Sequence, residues 1–329
     1  MSTTTTTVPG ASPVSGSRSF LSRLRDGDEI ARAVTFLFAA SVVLITLLLV
    51  LSLWQSSSLA RHKFGLAFFV TSVWDPNAGI FGALPFIYGT LVTAAVALLI
   101  AVPLGLGAAI FLAELAPMRV SDTLEFFIDL LAAVPSVIYG VLGIFLVVPA
   151  MRLYIQPALK RTLGFIPLFQ GPAYGIGFLT AGIVLAIMII PYIISVSREV
   201  LLSVPRDQRE AALSLGATRW ESTWKVVVPF ARTGIMGSIF LALARALGET
   251  MAVTMVIGNT PKIALSLFSS GYSIAAAIAN EFNEASSPLH SEALIELGLV
   301  LFLLTFILNG VARLLIVATS QRGSGMGNA

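Results

Sequence analysis

Apolar residues in this chain come in six long runs, at about 33–54, 86–113, 124–151, 173–197, 230–257 and 292–317, with polar stretches between them. About 20 apolar residues are needed to cross the hydrocarbon core of a bilayer as a helix, and each run is long enough. The pattern therefore predicts an all-α integral membrane protein of six transmembrane helices, occupying residues 31–320. Ahead of it, residues 1–30 are rich in Ser, Thr, Gly and Pro and then charged, which predicts a disordered tail leading into an interfacial segment. A short disordered tail is expected over residues 321–329. The first apolar run starts too late and is too long for a cleaved signal peptide.

The polar interruptions carry their own local signals. The loop at 198–229 contains EAALSLGATRWESTWKVVVP, from Glu210 to Pro229. Pro205 suits a first helical turn, and Gly216 suits the position just after a helix, where positive φ costs a glycine nothing. Thr218 followed three residues later by Glu221 has the spacing of a capping box, so a second helix begins there. A bent, amphipathic pair of helices suits docking into a groove of another protein. An ordinary solvated loop reads the same way, and so does a helix-turn-helix, although membrane spans on both sides argue against a DNA reader.

Elsewhere, WDPNAGIFGALPFIYGT (Trp74 to Thr90) joins turn residues to aromatics of the kind that line a membrane interface. Residues 152–171 look amphipathic, and SIAAAIANEF (Ser273 to Phe282) is too short to span, which suits an interfacial or re-entrant helix.

Composition narrows the function classes. With 57% hydrophobic and 11% charged residues and a mean hydropathy of +0.92, the chain is excluded from the water-soluble globular class. The absence of cysteine excludes disulfides, thiol catalysis and Cys-based metal sites. The two histidines, His62 and His290, fall far apart and in expected loops, a poor basis for a metal centre. The net charge of +3 is too small to argue for nucleic acid. None of the four lysines follows a glycine, so no P-loop exists and the chain has no ATP site of that kind.

Basic residues also set the orientation. Arg61, Lys63, Arg152, Lys160, Arg161 and Lys262 fall in one set of connections, and Arg245 falls within a span. All the other lysines and arginines fall on the opposite side, which predicts both termini and the 198–229 loop in the cytoplasm.

Arg245 and Glu249 lie near the middle of the fifth apolar run. A charge at that depth costs about 2.5–3.5 kcal/mol on insertion scales, which marks it as a candidate functional group. Four residues apart, they are expected on one helix face, either as a site or as a pair that merely neutralises itself. Glu125 and Asp129 are expected at the entry of the third span, and Glu292 and Glu296 at that of the sixth, where helix dipoles favour carboxylates. Pro103, Gly105, Gly107, Pro135, Gly140, Gly143 and Pro191 read as ordinary close packing of membrane helices ahead of a direct substrate role.

Two resemblances attach to these residues. The 210–229 stretch resembles the EAA loop of the membrane subunits of bacterial ABC importers, with Glu210, Ala211, Ala212, Gly216, Val226, Val228 and Pro229 at that pattern's spacing. RALGETMAVTMVIGN (Arg245 to Asn259), the Trp74–Thr90 loop, VPSVIYG (Val134 to Gly140) and ELGLVLFLLTFILN (Glu296 to Asn309) resemble the PstC-type permease subunits of the phosphate ABC importer. The likeness extends over about 30–320 and implies a six-span, MetI-like permease of the bacterial plasma (inner) membrane, with the EAA stretch as the cytoplasmic coupling helix. It implies a non-enzymatic subunit with no cofactor of its own, ATP being bound by partner subunits. The implied partners are a PstA-type permease subunit in a heterodimer, two copies of a PstB-type ATPase, a PstS-type phosphate-binding protein, inorganic phosphate and membrane lipid, with no nucleic acid. It implies a substrate pathway through Arg245 and Glu249, and ATPase coupling through Glu210, Ala211, Ala212 and Gly216. A PstA-type subunit shares the RAxGET core, and a stand-alone secondary anion transporter using Arg245 and Glu249 as an ion relay is the reading from another class.

Overall fold

The structure is a computed structural model that describes residues 28–324, with side chains from residue 31 to residue 314. The tail expected over 1–30 lies almost wholly outside the described residues. The last helix continues to Ser324, and residues 325–329 lie outside as well. Of the described residues, those up to Ser52 form one compact unit and those from Leu53 a second. The first holds most of helix α1 (Asp28–Ser56), which is apolar from Ala31 onward and long enough to cross a membrane.

In the second unit, five more helices have the length and hydropathy to cross: α4 (Leu84–Leu115), α6 (Ser136–Leu163), α7 (Phe178–Leu202), α9 (Arg219–Gly248) and α12, which runs from Pro288 to Ser324. Between them lie α2 (Ser58–Phe64), α3 (Ala67–Val70), α5 (Met118–Ala132), α8 (Arg206–Ser214), α10 (Met251–Ile257) and α11 (Ile274–Glu281). Among the described residues the only β pairing is one isolated bridge between Asp75 and Ile80. There the Asp75 carboxylate accepts the N–H groups of Asn77 and Ala78, the turn chemistry expected of Asp-Pro-Asn.

The six-span expectation holds, but two of its boundaries are wrong. Residues 124–151 are not one crossing. Val134 precedes a proline and is biased away from the helical region, and Pro135 itself is extended at φ −57, ψ 138. The chain therefore breaks there, and the third crossing starts at Ser136. Glu125 and Asp129 belong to the separate, amphipathic α5, where they meet α7 instead of greeting a span. Glu125 is ion-paired with Arg198, which also donates to Ser121 (3.1 Å), and Asp129 accepts from Ser195 (3.1 Å). The fifth crossing is the second correction. It starts at Arg219, within the polar loop, and stops at Gly248.

Helix α7 is the most buried crossing, and small residues explain how its neighbours approach it. A side chain on Gly182 would run into Val96 of α4, and one on Gly105 of α4 would run into Ile193. Buried Ser197 and Ser238 share a hydrogen bond of 2.7 Å between α7 and α9. On the far side of the bundle from the EAA stretch, α11 is buried against α4 and α12, with Thr90 accepting the N–H of Ile274 (3.0 Å).

The aromatics of the Trp74–Thr90 stretch also pack inward. Trp74 lies 4.7 Å from Phe81 and 4.8 Å from Phe86, centroid to centroid, and donates to Glu281 of α11 (2.8 Å). His290, expected in a loop, is in α12, buried between the Phe81 ring and Glu281; His62 is in α2. Glu296 is two turns inside α12 and 5% exposed, so the helix N-terminus does not account for it.

The tightest approach to another part of the backbone is at Gly89, where a Cβ would stand 2.0 Å from the carbonyl oxygen of Tyr272. Backbone must move to admit it, and overpacking of this kind costs about 1–3 kcal/mol. Gly89→Ala is expected to lower the thermal unfolding midpoint of the detergent-purified protein, and an unchanged midpoint would show that the Tyr272 loop yields freely.

Candidate functional site

The first candidate site is built where the fifth crossing ends. Helix α9 closes at Gly248, and Glu249 turns extended at φ −70, ψ 126. Helix α10 then restarts at Met251. The expected geometry, Arg245 and Glu249 on one face of a continuous helix, is thereby overturned. Glu249 Oε1 accepts the N–H of Ala252 (3.2 Å), so the carboxylate caps α10, where the helix dipole also favours negative charge. Among the described residues, no ion pair includes Arg245 or Glu249.

Arg245 instead lies over an aromatic ring. Its Cζ is 4.2 Å from the ring centroid of Tyr192, on α7. The guanidinium makes no hydrogen bond to any described protein group, and its Nε is buried. Tyr139, 7% exposed on α6, lies within electrostatic reach of both Arg245 and Tyr192 and donates its hydroxyl to the Leu131 carbonyl (2.7 Å). The VPSVIYG glycine packs α6 against α10. A Cβ on Gly140 would come within 2.5 Å of Met255 Sδ and 3.1 Å of Ala252 Cα, so α6 closes onto α10 only because position 140 has no side chain. The arrangement is a cation with free N–H donors at an interruption in a membrane helix, which is chemistry for an oxyanion. No metal-binding group exists among the described residues.

The second candidate is the bent polar loop. Helix α8 ends in a Schellman motif, in which Gly216 N–H donates to Leu213 O (3.0 Å) and Ala217 N–H to Ala212 O (3.2 Å). Gly216 has φ +85, as its sequence position predicts. Thr218 and Glu221 form the expected capping box. Thr218 Oγ1 accepts from Glu221 N (3.2 Å), and Glu221 Oε2 accepts from Thr218 N (3.0 Å). Pro205 stands one residue before α8, as its cap, rather than in its first turn. Glu210 and Ala211 are exposed on α8 and Ala212 is half-buried. The loop does not end before the fifth crossing. It runs into it through Arg219, so the second half of the loop and the crossing are one continuous helix.

Sequence reasoning missed the residue that fixes this loop. Arg209 reaches back to the ends of two crossings, pairing with Glu114 at the end of α4 (2.8 Å) and donating to the Leu201 carbonyl at the end of α7 (2.7 Å). Glu114, with a side chain 10% exposed, was the available signal, since a carboxylate in the last turn of an apolar run needs a partner. A cleft of about 400 Å³ opens beside the pair, lined by Arg206, Glu210, Leu213 and Arg219. Cleft and exposed helix face together form a surface on which another protein can dock.

Residues 101–320 match the family described as "Binding-protein-dependent transport system inner membrane component". The "Phosphate transport system permease protein PstC" of Mesorhizobium japonicum is 46% identical over 90% of this chain and 91% of its own. That of Pasteurella multocida is 48% identical over 88% of this chain and 92% of its own, and a "probable" one from Methanocaldococcus jannaschii is 38% identical over 87% and 92%. Among solved structures, a bacterial alginate ABC transporter in complex with an alginate pentasaccharide-bound periplasmic protein superposes with a TM-score of 0.55 at 14% identity, over 91% of this chain and 98% of that one. The MetNI methionine ABC transporter, in an inward-facing form, gives 0.51 at 16% identity over 71% and 96%. These two show the fold alone, a MetI-like ABC permease. A multi-pass inner membrane protein by its helices and its relatives, the chain belongs to the binding-protein-dependent transport inner membrane component family, and within it to the PstC-type permeases.

Proposed function

We propose that this chain is the channel-forming subunit of an ATP-driven importer that passes inorganic phosphate from an extracytoplasmic binding protein into the cytoplasm. The observation that carries the reading is the half-buried Arg245, its guanidinium free of hydrogen bonds to described protein groups at a helix break, in a chain close to phosphate permeases along nine-tenths of its length. Phosphate carries about −1.5 charge at neutral pH, and a guanidinium presents two parallel donors to two of its oxygens. The contact has to be weak, because a translocated ion must leave as well as arrive. Glu249 caps α10 in the conformation described, and its second role is to accept a hydrogen bond from the proton that hydrogen phosphate carries and sulfate lacks. Residues 31–320 form the permease, with Glu210, Ala211, Ala212 and Gly216 presented to the ATPase. The complex contains a PstA-type partner, two PstB-type ATPase copies that bind the ATP, and a PstS-type receptor.

Purification from the native membrane is expected to bring down a P-loop ATPase, and vesicles holding the complex should take up phosphate only with ATP inside. A chain that purifies alone and transports without ATP would make it a secondary transporter. Orientation has a separate check, because the native chain has no cysteine. A single Ser214→Cys label site on exposed α8 should be closed to an impermeant maleimide in intact cells and open in inverted vesicles. Labelling in intact cells would place the loop outside and end the coupling assignment.

A further inference from the structure

We propose that Tyr192 is the positioning residue for Arg245, holding the guanidinium by its ring face in the role sequence reasoning gives to Glu249. The proposal rests on the reading of Arg245 as the phosphate contact. A long, flexible cation at the break in a membrane helix needs something to hold it between one anion and the next. A carboxylate would do so by occupying the same N–H donors that the anion needs. Glu249 is not in that position, because its Oε1 accepts the N–H of Ala252 at the start of α10. What lies against Arg245 is the Tyr192 ring, 4.2 Å from Cζ.

Stacking differs from pairing in its consequences. A ring face attracts the cation through its quadrupole while the planar fork keeps its N–H groups pointing outward in its own plane. The donors stay available, and Arg245 makes no hydrogen bond to any described protein group. The ring is carried by α7, the most buried crossing, where Tyr192 follows Pro191. The cation is thus oriented without being neutralised, which suits a site that must capture an oxyanion and release it.

The test uses the reconstituted complex in proteoliposomes, with phosphate uptake and ATP hydrolysis measured on the same preparation. Tyr192→Phe keeps the ring and should transport as the native protein does. Tyr192→Leu removes it. Phosphate moved per ATP hydrolysed should then fall about ten-fold, the scale of a desolvated cation–π contact, while hydrolysis continues. Loss of a merely structural contact would lower uptake and hydrolysis together. Tyr192→Met, unbranched and adaptable, decides the matter if the Leu variant fails to assemble. Native uptake per ATP in the ringless variant, with Arg245→Gln inactive, overturns the role of Tyr192 and leaves that of Arg245 standing. A Phe variant as poor as Leu overturns it also, by showing that the hydroxyl matters instead of the ring. Full transport by Arg245→Gln overturns both.

Discussion

Arg245→Gln is expected to abolish phosphate uptake while the complex still assembles and inserts. Glutamine keeps two N–H donors and much of the side chain's volume, so packing against Tyr192 and Tyr139 is little disturbed. It removes the charge that stands at the break between α9 and α10. Without that charge a phosphate ion at this depth faces the full penalty of an unpaired anion, several kcal/mol, which no neighbouring side chain offsets. Arg245→Lys restores the charge but not the fork. One lost charge-assisted hydrogen bond is worth about 1.5–3 kcal/mol, so uptake should recover only partly, staying about ten-fold or more below native. The measurement is uptake into vesicles matched for subunit content. Full transport by the Gln variant would reduce Arg245 to a packing residue and leave the pathway unassigned.

Glu249→Gln separates the two carboxylate roles. The amide oxygen can still accept the Ala252 N–H and cap α10, so the fold near the break should survive. A loss of uptake in that variant would then belong to the charge itself.

The crossings and the bent loop were legible in the sequence because their signals are local. Hydropathy over about 20 residues marks a span, and a glycine or a Thr-x-x-Glu spacing marks a helix end within one turn. The third crossing was misread because Pro103, Pro135 and Pro191 look alike in an apolar run. Pro103 and Pro191 sit inside continuous helices, whereas Pro135 opens one. Only packing decides which, since neighbouring helices can compensate for a missing backbone hydrogen bond.

The break at Glu249 was hidden for a related reason. GETMAV has no proline, and its carboxylate ends the helix by capping the next one, a role that in sequence is indistinguishable from an i,i+4 partner. Arg209 with Glu114, and Arg245 with Tyr192, were illegible because the partners lie 95 and 53 positions apart in the chain. Periodicity carries no information at such range.

Gly216→Val should uncouple ATP hydrolysis from transport while leaving the permease folded. The residue has φ +85, where a Cβ crowds the following carbonyl and costs a non-glycine residue about 1–2 kcal/mol, with further strain for a β-branched one. No atom beyond the immediate backbone lies within 4 Å of a Cβ built there, so the effect is one of backbone angle and not of a clash. Valine relieves its strain by leaving the left-handed region. The Schellman bonds from Gly216 and Ala217 to Leu213 and Ala212 then open, and α8 swings relative to α9.

Because α9 is both the second half of the loop and the crossing that carries Arg245 in its last turn, a wrong angle at residue 216 misdirects the whole helix. The Arg209–Glu114 contact still holds the start of α8 against α4, so the membrane part should remain intact. Asparagine tolerates the left-handed region and is the control. Gly216→Asn should keep uptake near native, while Gly216→Val should lose most of it with the complex assembled at normal levels. Equal behaviour of the two variants would mean that the angle at residue 216 does not transmit the stroke, and that the polar loop is a passive connection between crossings.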